Sequence, residues 1–231
     1  MVNADLGRRT WSEVASIGPA VLVVPVGSLE QHGPHLPLDT DTRIARALAE
    51  GLAARRPDVV VGPPVAYGAS GEHAGFAGTL SVGTAALTTA LVELGRSADA
   101  FAGVVLVNGH GGNLAALQAA TSVLVDEGRT VVAWSPSIPG GDAHAGRTET
   151  SLLLHLDPDA VRADRAEPGD RRPLRELMGE LRAGGVARVS PNGVLGDPTG
   201  ATAEEGGALM ARLVDQLVAA VDAALPRPSA R

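Results

Sequence analysis

Two hydrophobic rhythms alternate along the chain. Residues 20–26 (AVLVVPV) form an unbroken apolar run, as a strand buried on both faces requires. Over 41–56, Ile44, Leu48 and Leu52 recur every four positions, which marks one face of a helix. A short strand over 59–61 follows, then a helix over 84–98 with Thr84 as its N-cap. A second buried strand is predicted over 103–108 (GVVLVN). Asn113 can cap the helix after it, which runs to Glu127, and a fourth strand spans 130–135. The last helix opens at Thr202 with Glu205 three residues on, a capping box, and runs to about Leu225. Strands alternating with helices predict a mostly parallel sheet covered on both faces. Nothing splits the chain, so one domain over 1–231 is expected. The stretch 162–198, richer in Gly, Pro and charge, reads as a cover over a site or a subunit contact.

Composition narrows the function classes. With 45% hydrophobic and 19% charged residues, the 231-residue chain is an ordinary globular sequence. Its net charge is -7, and all 19 basic side chains are arginines. An acidic balance without a basic run argues against nucleic acid or an anionic membrane as partner. Cysteine is absent, which excludes disulfides, thiolate metal sites and a Cys nucleophile. Aromatic residues are 2% of the chain, too few for a base-stacking platform. No apolar stretch is long enough for a membrane span, and MVNADLGRR lacks a signal pattern, so the expected location is cytoplasmic.

The histidines carry the chemistry. His32 and His35 follow the first strand, His110 follows the third, and His144 follows the fourth. Open α/β sheets build their sites outside the carboxyl ends of the strands. His73 lies in a glycine-rich loop, and His155 on an apolar helix reads as a hydrogen-bonded core residue. In SLEQHGPHLPLDTD, Glu30 and His32 are two apart and share a side of an extended segment, and Asp41 returns at the next helix start. Carboxylate, imidazole and carboxylate suit Zn, Mn or Fe(II), and one carboxylate can bridge two cations. A lone E-x-H is more often a solvated acid beside a structural histidine, but a long Pro- and Gly-rich loop at a strand end favours metal. NGHGGN places His110 among glycines that let a ligand approach; anion binding is the rival reading. In DAHAGRTETS, His144 can act as general acid or base. Glu149 is there either a ligand or base, or an acid favourable to its helix dipole.

Together these segments resemble the creatininase family of metal-dependent amidohydrolases. GSLEQHGPHLPLDTD, the EHAGFAGT loop, VNGHGGN and HAGRTETS occur in the family's order. The resemblance implies a three-layer α/β/α sandwich, two divalent metal ions and a homo-oligomeric ring, often a hexamer. By motif the ligands become Glu30, His32, Asp41 and His110, with Asp41 bridging, and His144 becomes a catalytic residue. One departure stands out: creatinine-hydrolysing members carry a Tyr-Glu pair whose Glu binds the second metal, and here the pair is Gly111-Gly112. Glu149 is the candidate replacement ligand. The runs EQHGPHLPLDTDTRIA, YGASGEH and SPNGVLGDPTGATAEEG are similar to a peptidase subgroup, that of mycofactocin biosynthesis. It implies a modified short peptide as substrate, cut to release a C-terminal Val-Tyr-derived portion. A deformylase or another cyclic-amide hydrolase is the alternative, and a metal-dependent binding protein is the non-enzyme alternative.

Overall fold

The structure, a computed structural model, describes residues 4–227 of the chain. A short helix α1 (Trp11–Ser16), capped by Thr10, leads into β1 (Val21–Val26), whose six residues are all buried. Then come α2 (Thr40–Arg55), β2 (Val59–Val61), α3 (Gly83–Ser97), β3 (Gly103–Asn108) and α4 (Leu114–Asp126). After these come β4 (Val131–Trp134), α5 (Arg147–Leu156), α6 (Leu174–Val189) and α7 (Ala203–Ala224).

The four strands pair only in parallel, in the order β2-β1-β3-β4. Strand side chains alternate between faces, and two cores result. Val21, Val23, Val105 and Val107 pack with Ile44, Leu48 and Leu52 of α2, Leu153 of α5, and Leu213 and Leu217 of α7. Leu22, Val24, Val104 and Leu106 pack with Leu87 and Leu91 of α3 and Leu117 and Leu124 of α4. This is the three-layer α/β/α arrangement. Because every strand runs the same way, every loop that leaves a carboxyl end emerges at one edge.

Three expected caps are used differently. Thr84 lies inside α3; Ser81 Oγ instead accepts from Gly83 N at 3.2 Å and from Ser70 N at 2.9 Å. Asn113 does not cap α4: its side chain accepts from Ala69 N and donates to Gly27 O, both at 2.9 Å, tying three loops together. Thr202 does accept from Glu205 N at 3.1 Å, but the Glu205 carboxylate goes to Arg147 Nε at 2.8 Å and Ser151 Oγ at 3.2 Å. His155 is exposed, with its ring against Gly207 of α7, not a core residue.

Residues 162–198 fold over the strand-end edge. Helix α6, kinked at Gly185, packs on the 71–73 turn, and Leu195 pairs with His144 in an isolated bridge. That answers to the cover reading. At the same edge α2 begins hard against the end of β3: a Cβ on Gly109 would overlap the Asp41 carbonyl oxygen. The Gly109→Ala variant is therefore expected to lose about 1–3 kcal/mol, the cost of overpacking, and to shift the first turn of α2. Thermal unfolding together with metal uptake checks this; wild-type values for both would refute the close-approach account.

Candidate metal centre

Four imidazoles and four buried or half-buried carboxylates meet at the strand-end edge. Asp41, in the first turn of α2, is fixed by Ser28, whose Oγ donates to Asp41 Oδ2 at 2.7 Å. On one side Asp41 Oδ1 lies 3.0 Å from His32 Nε2; on the other, Oδ2 lies 3.2 Å from His110 Nδ1. One carboxylate thus stands between two imidazoles, the arrangement a bridging ligand needs.

Glu30 is fully buried, and neither of its oxygens has a hydrogen-bond partner. Nitrogens are nevertheless close: His110 Nε2 at 3.1 Å, His73 Nε2 at 3.2 Å and His144 Nδ1 at 3.7 Å. The groups are grouped around shared space without being aimed at one another. A buried carboxylate left without partners is costly, and a cation among those nitrogens removes the cost. The donors form three overlapping sets, each within 4.8 Å: Glu30, Asp41 and His110; His32, His144 and Glu149; Glu30, His73 and His144. Oxygen and imidazole donors of this kind fit Zn, Mn or Fe(II).

The surrounding hydrogen bonds orient the rings. His32 Nδ1 lies 3.1 Å from Glu30 O, so as donor there it leaves Nε2 as the lone-pair nitrogen facing Asp41. His144 Nε2 lies 2.8 Å from Gln31 O, which leaves Nδ1 facing the centre. Gln31 Nε2 also bonds Gly193 O at 3.0 Å, fastening the cover to the floor of the site. Asn108 Nδ2 donates to His110 O at 2.7 Å, and Asn108 Oδ1 accepts from His110 N at 3.2 Å, which locks the loop after β3.

Of the expected residues, Glu30, His32, Asp41, His110, His144 and Glu149 all converge. Glu149 Oε2 accepts from Ala145 N at 2.7 Å and lies 3.9 Å from His32 Nε2, so it serves its own helix start while facing the cluster. His35 turns aside, with Nε2 2.8 Å from Thr150 Oγ1. His73 and Glu72 were not among the expected residues. Both belong to the YGASGEH run, so the signal was present in a motif that carried the resemblance. Glu72 Oε1 lies 3.5 Å from His110 Nε2.

The electrostatics follow from crowding. Burial disfavours the charged form of His32, but Asp41, then Glu149 and Glu30, outweigh it and push the imidazole up to about 10. His110 is likewise raised, against burial, by Asp41 and Glu30. Burial, despite the positive field of His32, pushes Glu149 up to about 7. Burial lowers His73 to about 4 and takes His144 well below its usual range, the latter helped by His32.

Comparison with known proteins places the chain in a family. The sequence model of the creatininase family, described as creatinine amidohydrolase, matches residues 7–221. The chain belongs to the creatininase family. It is 58% identical to a mycofactocin precursor peptide peptidase of Mycolicibacterium smegmatis, over 92% of this chain and 88% of that one. Identity is 52% to the Mycobacterium tuberculosis protein of the same name, over 98% and 94%. Among solved structures, a zinc–zinc form of a mutant creatininase superposes with a TM-score of 0.80 at 27% identity, covering 98% of this chain and all of that one. A manganese form gives 0.79 at 28%, covering 97% and 100%. As a creatininase-family member, the chain is a hydrolase of amide bonds. No helix among the described residues is long and apolar enough to cross a membrane.

Ligands bind metal in their deprotonated form. As a ligand, His32, held protonated up to about pH 10 by its acidic neighbours, would release its proton when a cation loads. Raising the pH toward that value removes proton competition, so cation affinity is expected to rise with pH. Calorimetric titration in buffers of different ionisation enthalpy will read net proton release at neutral pH. Loading without proton release would contradict the assignment of His32 as ligand.

Proposed function

We propose that the chain is a mycofactocin precursor peptide peptidase, a two-metal amide hydrolase that releases the Val-Tyr-derived C-terminal portion of a radical-modified short peptide. The observation that carries the two-metal reading is Asp41, whose two oxygens face His32 and His110 at 3.0 and 3.2 Å. The substrate comes from the similarity to the two mycobacterial peptidases. The reading takes 1–231 as one domain and, from the family resemblance, a homo-oligomeric cytoplasmic enzyme.

Glu30, Asp41 and His110 would hold one divalent cation, and His32, Asp41 and Glu149 the other. Zinc and manganese both have precedent in the solved creatininases, and iron(II) suits the same donors. Such a pair supplies a nucleophilic water near neutrality and positive charge for the oxyanion that develops on the scissile carbonyl. The protein's own work is positioning and proton transfer. Asp41, bonded by Ser28, fixes the spacing of the two halves. His144, with Nε2 donating to Gln31 O, presents Nδ1 as the acceptor that would take up the proton released by the attacking water and pass it to the leaving nitrogen, with Glu149 as the second candidate for that step. Helix α6 and the 190–196 loop shut bulk water away from the floor of the site.

Incubation of the metal-loaded protein with the modified precursor peptide is expected to release the C-terminal portion, read by mass spectrometry. Asp41→Asn should lower the rate about 100-fold or more. Creatinine should turn over far below about 1 per second, the low end for ordinary enzymes. Brisk creatinine hydrolysis with an untouched peptide would overturn the substrate assignment.

Glu149 has a separate test. Glu149→Gln is expected to bind one cation in place of two, because the cation near His32 loses its second carboxylate. Elemental analysis after dialysis gives the stoichiometry. Two cations retained at unchanged affinity would return Glu149 to the role of a helix-start acid bonded to Ala145.

A further inference from the structure

Position 112 has no side chain, yet the space beside it is filled. A Cβ on Gly112 would overlap Glu72 Oε1, His110 Nε2 and the Ala69 carbonyl oxygen together. The glycine is therefore the gap through which Glu72 reaches the centre from the 71–73 turn. That turn is held from both sides: His73 Nδ1 bonds Gln31 Nε2 at 2.9 Å, and α6 packs on its outer face.

Three carboxylates then converge on a single imidazole. At His110 Nε2, Glu30 Oε2 lies at 3.1 Å, Ala69 O at 3.3 Å and Glu72 Oε1 at 3.5 Å; at Nδ1, Asp41 Oδ2 lies at 3.2 Å. The imidazoliums of His110 and His32, which share Asp41, can balance two of the four carboxylates gathered here, and no arginine among the described residues is paired with any of them, so the grouping calls for a multivalent cation. Glu30, fully buried with both oxygens unpartnered, independently points to a ligand in the same place. The distances suit the role as well. Donors that share one cation at bonds of about 2.0–2.2 Å lie roughly 3.0–3.5 Å apart, which is where the Glu30 and Glu72 oxygens stand from His110 Nε2.

We propose that Glu72 is a further ligand of the cation held by Glu30, Asp41 and His110, supplied from the turn before His73 through the gap left by Gly112. The inference rests on the two-metal reading above. Glu149 flanks the His32 end of the cluster and Glu72 the His110 end, so each cation gains its own terminal carboxylate beside the shared Asp41.

The test uses cobalt(II) as the probe on the full chain. Wild type is expected to bind two cobalt ions. Glu72→Gln should weaken one of the two about 10- to 100-fold, as loss of a metal-supporting group does, and change the visible absorption of that ion. Glu72 is half-buried and its one ion pair among the described residues is the 3.5 Å contact with His110, so the apo variant should unfold close to the wild-type temperature; Glu72→Ala, which removes the carboxylate and its volume, must give the same loss. Two cobalt ions bound by wild type and both variants with identical affinity and spectra would overturn the Glu72 assignment alone. An equal weakening of both ions with an unchanged spectrum would also overturn it, since it marks a nearby charge and not a ligand. Fewer than two ions on wild type would instead overturn the two-metal reading, and Glu72 with it.

Discussion

The structure is organised around the cost of taking charge out of water. Glu30, His32 and Asp41 are almost completely inaccessible, and isolated ions moved into a protein interior lose several kcal/mol each. Such groups persist in a folded chain only where opposite charge or metal meets them. The fold answers by delivering acids and imidazoles from separate loops to one point. A wholly parallel sheet makes that possible, because the loops after β1, β2, β3 and β4 all leave from the same edge.

Delivery alone would leave the side chains free to move, and a ring of uncharged hydrogen bonds prevents it. Ser28 holds Asp41, Gln31 ties His73 and His144 to the cover, and Asn108 holds both ends of the His110 peptide. Asn113 links the loops after β1, β2 and β3 through Gly27, Ala69 and Asn108. These residues carry no charge and add no further desolvated ion. They convert a crowded cluster into one geometry, which a metal site demands.

The sheet was legible because burial on both faces leaves a plain trace: β1 has no polar residue at all, and β3 only its last. The helices were legible through four-residue spacing. Cap residues misled, since Asn113 is recruited to the loop network and Ser81 takes the work expected of Thr84. In the site, nearness to a strand end along the chain was a reliable guide for Glu30, His32 and His110. It failed for His35, which faces Thr150, and for His73, which lies well beyond the end of β2 and returns only because the intervening loop folds back. Glu72, although part of the YGASGEH run, was passed over for a further reason: its position becomes meaningful only when the missing side chain at Gly112 is seen as room.

Ala145 shows how local strain and site geometry are reconciled. It has φ 51, the one positive value among the described non-glycine residues, a conformation uncommon outside glycine, Asn and Asp. Glycine would relieve the backbone, but the Ala145 methyl is fully buried in the core formed with α2 and α7. The conformation also points Ala145 N at Glu149 Oε2, 2.7 Å away. With that donor in place, one Glu149 oxygen is anchored to the backbone while the carboxylate still borders His32 at 3.9 Å. Strain of this size, of order 1–3 kcal/mol, persists because packing on one side and a charge-assisted hydrogen bond on the other both favour it. The same turn sets His144 one residue before, with Leu195 bonded across it. The backbone that places the proton-transfer candidate is thus the backbone that aims the second carboxylate, and neither can shift without the other.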